Sequence, residues 1–150
     1  MALEYRLTLA GDIPANVLAE RALPDPDERP IGVPPILSAS LFDRYGFLVT
    51  VRSGQNGYVE ADYEDGTLEW EPKHYAAVGF RLDKFADRET LITNMVTIVR
   101  RVMVTGSEDA AFTFNGGDLI FARFDGQLVK HNREAWWSYH PAADQLIAES

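Results

Sequence analysis

The sequence predicts an α+β fold, a two-layer sandwich in which a mostly antiparallel sheet of about six or seven strands carries two main helices on one face. Three observations lead there. Segments that alternate apolar and polar residues recur along the chain, separated by Asn-Gly and Asp-Gly pairs that favour hairpin turns. One long segment, residues 87–105, has the apolar spacing of a helix lying flat on a sheet. The order strand, helix, strands, helix, strands lacks the helical crossovers that a parallel sheet needs.

Residues 3–10 open the chain as a half-buried strand: Leu3, Tyr5, Leu7 and Leu9 share one face, Glu4, Arg6 and Thr8 the other. Asp12 suits the N-cap of a short helix running to Leu23, with Pro14 in the permissive first turn. Residues 24–35 hold five of the 8 prolines, so they read as an ordered loop, too short and too early to act as a linker between domains. Residues 1–150 are therefore expected to form one domain. Strands are predicted at 47–52 and 58–64, joined as a hairpin by Ser53-Gly54-Gln55-Asn56-Gly57. Asp65-Gly66 predicts a tight turn into a strand at 67–71, and 75–82 reads as another strand.

The long helix follows. Asp87 caps it, Glu89 lies in its first turn, Arg100 and Arg101 lie near its end, and Gly106 suits a left-handed stop. Leu91, Met95, Ile98, Val99 and Val102 form its apolar stripe, widened by Ile92, Val96 and Met103. Residues 111–114, 119–124 and 127–130 then form a meander through the turns Asn115-Gly116-Gly117 and Asp125-Gly126. Period two places Phe112 with Phe114, and Leu119 with Phe121.

Composition excludes several function classes. Three Trp, 6 Tyr and 8 Phe are too many aromatics for a disordered chain. The absence of cysteine removes disulfides, iron–sulfur clusters, thiolate zinc sites and a Cys nucleophile. A net charge of −9 opposes binding to nucleic acid or to an anionic membrane, and favours a basic partner. No apolar run approaches the ~20 residues that span a bilayer. The segment Met1 to Arg6 lacks the basic start of a leader, so a cytoplasmic location is expected.

Motifs for catalysis are sparse. His74, His131 and His140 have no metal-ligand spacing, and no nucleophile elbow, P-loop or dinucleotide fingerprint occurs. No metal and no cofactor is expected. Asn115-Gly116-Gly117-Asp118 leads into a strand, so it reads as a hairpin turn rather than a phosphate cradle. A small carboxylate-dependent hydrolase is the enzymatic alternative, with no particular residues to carry it.

The segment 58–71 is more informative. It contains Glu60, Asp62, Glu64, Asp65, Glu69 and Glu71, and no Lys or Arg. Strand periodicity puts Tyr58, Glu60, Asp62 and Glu64 on one face, with Glu69 and Glu71 returning after the turn at Asp65. Such a face is either a solvated sheet surface that resists edge aggregation or a docking surface for a basic protein. The second reading makes Tyr58, Glu60, Asp62, Glu64, Asp65, Glu69 and Glu71 the candidate partner-binding residues. The pair Trp136-Trp137 near the C-terminus reads as a clamp on the core, with an interface hot spot as the alternative.

Several stretches carry a resemblance that spans nearly the whole chain. They are Met1-Ala2-Leu3-Glu4-Tyr5-Arg6-Leu7-Thr8-Leu9-Ala10-Gly11-Asp12, Leu41-Phe42-Asp43-Arg44-Tyr45-Gly46-Phe47, Gly57-Tyr58-Val59 and Asn94-Met95-Val96-Thr97-Ile98-Val99-Arg100-Arg101-Val102. The last is Arg123-Phe124-Asp125-Gly126-Gln127-Leu128-Val129-Lys130-His131-Asn132, running into Trp136-Trp137. In these the chain resembles the third Sit-type immunity protein family of bacterial contact-dependent polymorphic-toxin systems. The resemblance implies a cytoplasmic protein of bacterial competition and kin discrimination that binds and neutralises a cognate toxin, without catalysis or cofactor. It carries over no toxin-binding residue. The acidic segment is an inference from the residues themselves, and it suits a toxin such as a basic nuclease domain. A monomer is expected when the chain is free; self-association through a strand edge is the remaining alternative.

Overall fold

The computed structural model describes residues 3–150; Met1 and Ala2, which begin the segment read above for a leader, lie outside the described residues. Nine strands form one sheet: β1 (Leu3–Ala10), β2 (Ile36–Leu41), β3 (Phe47–Gln55), β4 (Val59–Tyr63), β5 (Gly66–Trp70), β6 (His74–Leu82), β7 (Ala110–Phe114), β8 (Asp118–Phe124) and β9 (Gln127–Lys130). The strand order is β2-β3-β6-β1-β7-β8-β4-β5, with β9 also pairing β8. Every pairing is antiparallel except the short one between β4 and β8, a single parallel bridge from Asp62 to Asp118. The helices are α1 (Ala15–Ala22), α2 (Arg88–Val104) and α3 (Pro141–Leu146). Among the described residues, no helix is long and apolar enough to cross a membrane.

The main core lies between the sheet and the helices. Leu7 and Leu9 of β1, Val49 and Val51 of β3, Val78 and Phe80 of β6 and Phe112 of β7 meet Leu18 of α1 and Met95, Val99 and Val102 of α2. The stripe read from sequence on α2 is wholly buried there. Asp87 caps the helix as expected, accepting a hydrogen bond from the Thr90 amide at 3.1 Å. Bonds from the Thr90 hydroxyl and amide hold the Asp87 carboxyl below its ordinary value. Trp136 and Trp137 are buried in the same core and close the C-terminal segment onto it. Trp136 Nε1 donates to the Tyr5 hydroxyl at 2.9 Å, and Trp137 Nε1 donates to the Ile120 carbonyl at 2.8 Å.

Six expectations need correction. Among the described residues the sheet has nine strands rather than six or seven: all eight segments read as strands join one sheet, and residues 36–41 add an edge strand that small polar residues and the preceding prolines disguise. Asp12 is not a cap: α1 starts at Ala15, and Pro14 stands at the cap position without a side-chain bond. Ser53–Gly57 is not a hairpin loop. β3 runs on to Gln55 between β2 and β6, and the chain then crosses to β4 at the far side of the sheet. The tight turn near Asp65-Gly66 is centred one residue earlier, on Glu64-Asp65, because Tyr63 pairs with Gly66. Gly106 has no left-handed backbone; a side chain there would collide with the Glu108 carboxylate and the Arg21 guanidinium, so glycine makes room for that ion pair. Leu119 does not share a face with Phe121. A bulge at Ile120 sets Thr113 opposite Leu119 and Phe112 opposite Phe121, so Ile120 and Phe121 both enter the main core and Leu119 turns to the opposite face.

Candidate functional site

The acidic segment forms a hairpin of β4 and β5, and a second, smaller apolar cluster seats it. Val59 and Ala61 of β4 pack with Ala111, Leu119 and Ala122 of β7 and β8, and Tyr63, Leu68, Trp70 and Phe124 close around them. Trp70 meets Phe124 edge-on at 5.3 Å. This cluster lies on the face of the sheet opposite the helices, because Ala111, Leu119 and Ala122 point away from Phe112 and Phe121. The hairpin adds little to the sheet ladder, so side-chain packing is its main anchor. Asn132 supplies polar ties: its amide donates to the Asp62 carbonyl at 3.1 Å and the Leu119 carbonyl at 2.8 Å. Asn132 holds a left-handed backbone, φ 53°, a conformation asparagine tolerates well. In the sequence Asn132 is marked only by its place beside a strand end and within the stretch Arg123–Asn132, and neither assigns it this role.

With the apolar side turned inward, the acidic side must face solvent. Tyr58, Glu60, Asp62, Glu64, Asp65, Glu69 and Glu71 are all exposed. Glu60 and Glu69 stand directly opposite each other across the ladder. The Tyr58 hydroxyl donates to Glu60 Oε2 at 2.8 Å. That bond, slight burial, and then the negative charges of Glu60, Glu69 and Glu71 push the phenol above its ordinary value, which places these four side chains in one electrostatic neighbourhood. Asp62 accepts from the Thr67 hydroxyl at 2.7 Å on the same outward side. Glu64 and Asp65 leave this group and occupy the turn. Glu64 Oε1 lies 3.4 Å from His131 Nδ1, and the His131 ring tilts against Tyr63 at 4.6 Å. The structure thus brings Tyr58, Glu60, Asp62, Glu69 and Glu71 onto one surface and puts Glu64 and Asp65 at its rim.

The arrangement suits binding. Like charges opposite each other in a ladder destabilise it by a few tenths of a kcal/mol. A cationic surface laid over Glu60, Glu69 and Glu71 would relieve that repulsion on contact. Elsewhere, burial alone would raise the Glu108 carboxyl, but bonds from Arg21 and a backbone amide, with the charges of Arg21 and Arg123, hold it below its ordinary value. Among the described residues, no three His, Asp or Glu side chains come together as metal ligands.

In comparison with known proteins, the family model described as SitI3-like matches residues 3–141. No curated protein and no solved structure gives a match.

Proposed function

The chain belongs to the SitI3-like family, a Sit-type immunity family, and from that premise we propose that it protects its own cell by binding a cognate polymorphic toxin and occluding it. The observation that carries the mode of binding is the outward face of the β4–β5 hairpin, where Glu60 and Glu69 face each other with Glu71 close by and no Lys or Arg between residues 58 and 71. Such a field selects a basic partner, for example a cationic nuclease domain, and raises the rate at which it docks. The proposed docking residues are Tyr58, Glu60, Asp62, Glu69 and Glu71, with Glu64 and Asp65 at the rim. A stable complex of this kind buries at least ~1,200 Å² in total. In this reading the free protein is a cytoplasmic monomer, and inhibition is steric and electrostatic rather than catalytic.

The test pairs growth rescue with binding. Cells expressing the cognate toxin domain should grow only when this chain is co-expressed. The triple variant Glu60→Lys, Glu69→Lys, Glu71→Lys should keep its circular dichroism spectrum and lose at least tenfold in affinity. Unchanged affinity in that variant would remove the hairpin as the docking surface. A wild-type chain that neither binds nor protects would overturn the immunity reading itself.

A further inference from the structure

The face of the sheet opposite the helices is buried at Ala111, Leu119 and Ala122 of β7 and β8 and at Thr8 and Ala77 of β1 and β6, but it is open over the two rows nearer the start of β1. Register places the residues of that face in rows. Ser38, Thr50, Gly79, Arg6 and Thr113 follow one another across β2, β3, β6, β1 and β7; Ser40, Leu48, Arg81 and Glu4 form the next row. Glu4, Arg6, Leu48, Thr50, Arg81 and Thr113 surround a cavity of about 390 Å³ with Gly79 at its floor.

Gly79 is the unusual residue. It sits inside a central strand, where glycine contributes no packing and lowers β stability. Its backbone is not left-handed, and a Cβ added there would meet only Thr50, at 3.8 and 3.9 Å, an ordinary contact. Nothing within the fold therefore demands glycine. Without a side chain at this position, the backbone of β6 lies open to the close approach of another molecule.

The walls say what that molecule carries. Arg6 and Arg81 are exposed guanidiniums in a chain whose net charge is −9. Among the described residues, Arg6 makes no ion pair and no side-chain hydrogen bond; its guanidinium lies 5.7 Å from the centre of the Tyr75 ring. Arg81 reaches Glu4 only at 4.0 Å. Two such groups over an open floor fit a carboxylate, which guanidinium binds in a planar, two-pronged geometry. The cavity is also continuous with the hairpin. Gly116 lines it, and the next residue, Gly117, accepts a hydrogen bond from the Asp62 amide at 2.7 Å.

We propose that this cleft receives an aspartate or glutamate side chain of the toxin, which Arg6 and Arg81 hold over Gly79 while the acidic hairpin meets the toxin's basic surface. The inference rests on the toxin-binding reading above. The interface is then bipolar, and the cleft sets the register in which the hairpin docks.

Titration calorimetry against the cognate toxin domain tests it, with Arg6→Ala, Arg81→Ala, Gly79→Ala and Gly79→Val compared with wild type. The arginine variants should each lose about tenfold or more in affinity. Gly79→Val should melt at the same or a higher temperature while losing binding, and Gly79→Ala should fall between. A scan of the toxin's carboxylates should find one whose amide variant loses as much as Arg6→Ala and adds nothing to it in the double mutant. Arginine and glycine variants that bind like wild type would overturn the cleft and leave the immunity reading standing. No binding by wild type would overturn both. A dimer of the free chain that Arg6→Ala dissolves, seen by light scattering, would give the cleft to a second copy instead.

Discussion

Tyr5 joins three regions of the protein through one side chain. Its ring stacks on Phe114 at 4.5 Å and Phe112 at 5.7 Å, and its hydroxyl accepts the indole proton of Trp136. Burial pushes the phenol up to about 12 from an ordinary value of 10.0, against the lowering effect of the Trp136 bond. The sign follows from linkage. The folded state holds the proton more tightly than the unfolded state, so the stabilisation is complete below pH 10 and is lost as pH rises toward 12. A rise of that size corresponds to roughly 3 kcal/mol. Urea unfolding at pH 9 and pH 11.5 should therefore show a larger loss of stability in wild type than in Tyr5→Phe, which has no proton to lose there. Equal losses in the two proteins would show that the phenol titrates normally in the fold. A second residue-scale device is the cluster around Glu108. Arg21 donates to both its oxygens at 2.9 and 3.0 Å, and Arg123 Nη1 binds the Met103 carbonyl at 2.9 Å, so the end of α2 is tied to α1 and to β8.

At the scale of elements, the hairpin stands apart from the rest of the sheet. β1, β3 and β6 share long ladders and the main core, whereas β4 and β5 rest on Val59, Ala61, Leu68 and Trp70. Trp70→Ala removes the contact with Phe124 and should cost about 2 kcal/mol, less than a fully buried Trp because the side chain is half-buried. The cost should fall locally. Amide exchange should accelerate across residues 59–70 and stay slow in β1 and β6; uniform acceleration would mean that the hairpin and the sheet open together. The same contrast explains what could be read from sequence. β1, β6 and α2 announce themselves because each packs one face along its whole length into the main core, and that burial imposes a period of 2 or 3.6. The acidic alternation in β4 and β5 was legible for the same reason. Pairing was not. Ser53-Gly54-Gln55-Asn56-Gly57 has the chemistry of a turn, yet β3 finds better partners in β2 and β6 on both sides. The bulge at Ile120 left no mark either, since Leu119, Ile120 and Phe121 are all apolar and only the geometry of β7 decides which one is extra. The cleft over Gly79 escaped because its residues come from four strands whose neighbours in space are far apart in the chain.

The molecule as a whole is polarised. The helix face holds the main core, and the opposite face carries both the acidic hairpin and the arginines of the cleft. A net charge of −9 acts on an approaching protein well before contact, over a Debye length of about 10 Å at 0.1 M salt. Association with the toxin should accordingly slow by roughly tenfold between 50 and 500 mM salt, with little change in the dissociation rate. Stopped-flow fluorescence reads both rates, and a salt-independent association rate would end the electrostatic side of the account. The fork at β8 bears on the history of such a molecule. One edge of that strand is divided between β9, which follows it in the chain, and β4, which contributes the single bridge at Asp62. A hairpin held so lightly by the ladder can vary its outward residues without disturbing the fold that bears it. On the proposed reading, specificity is then a separable trait: one exposed surface can be rewritten while the scaffold that carries it stays unchanged.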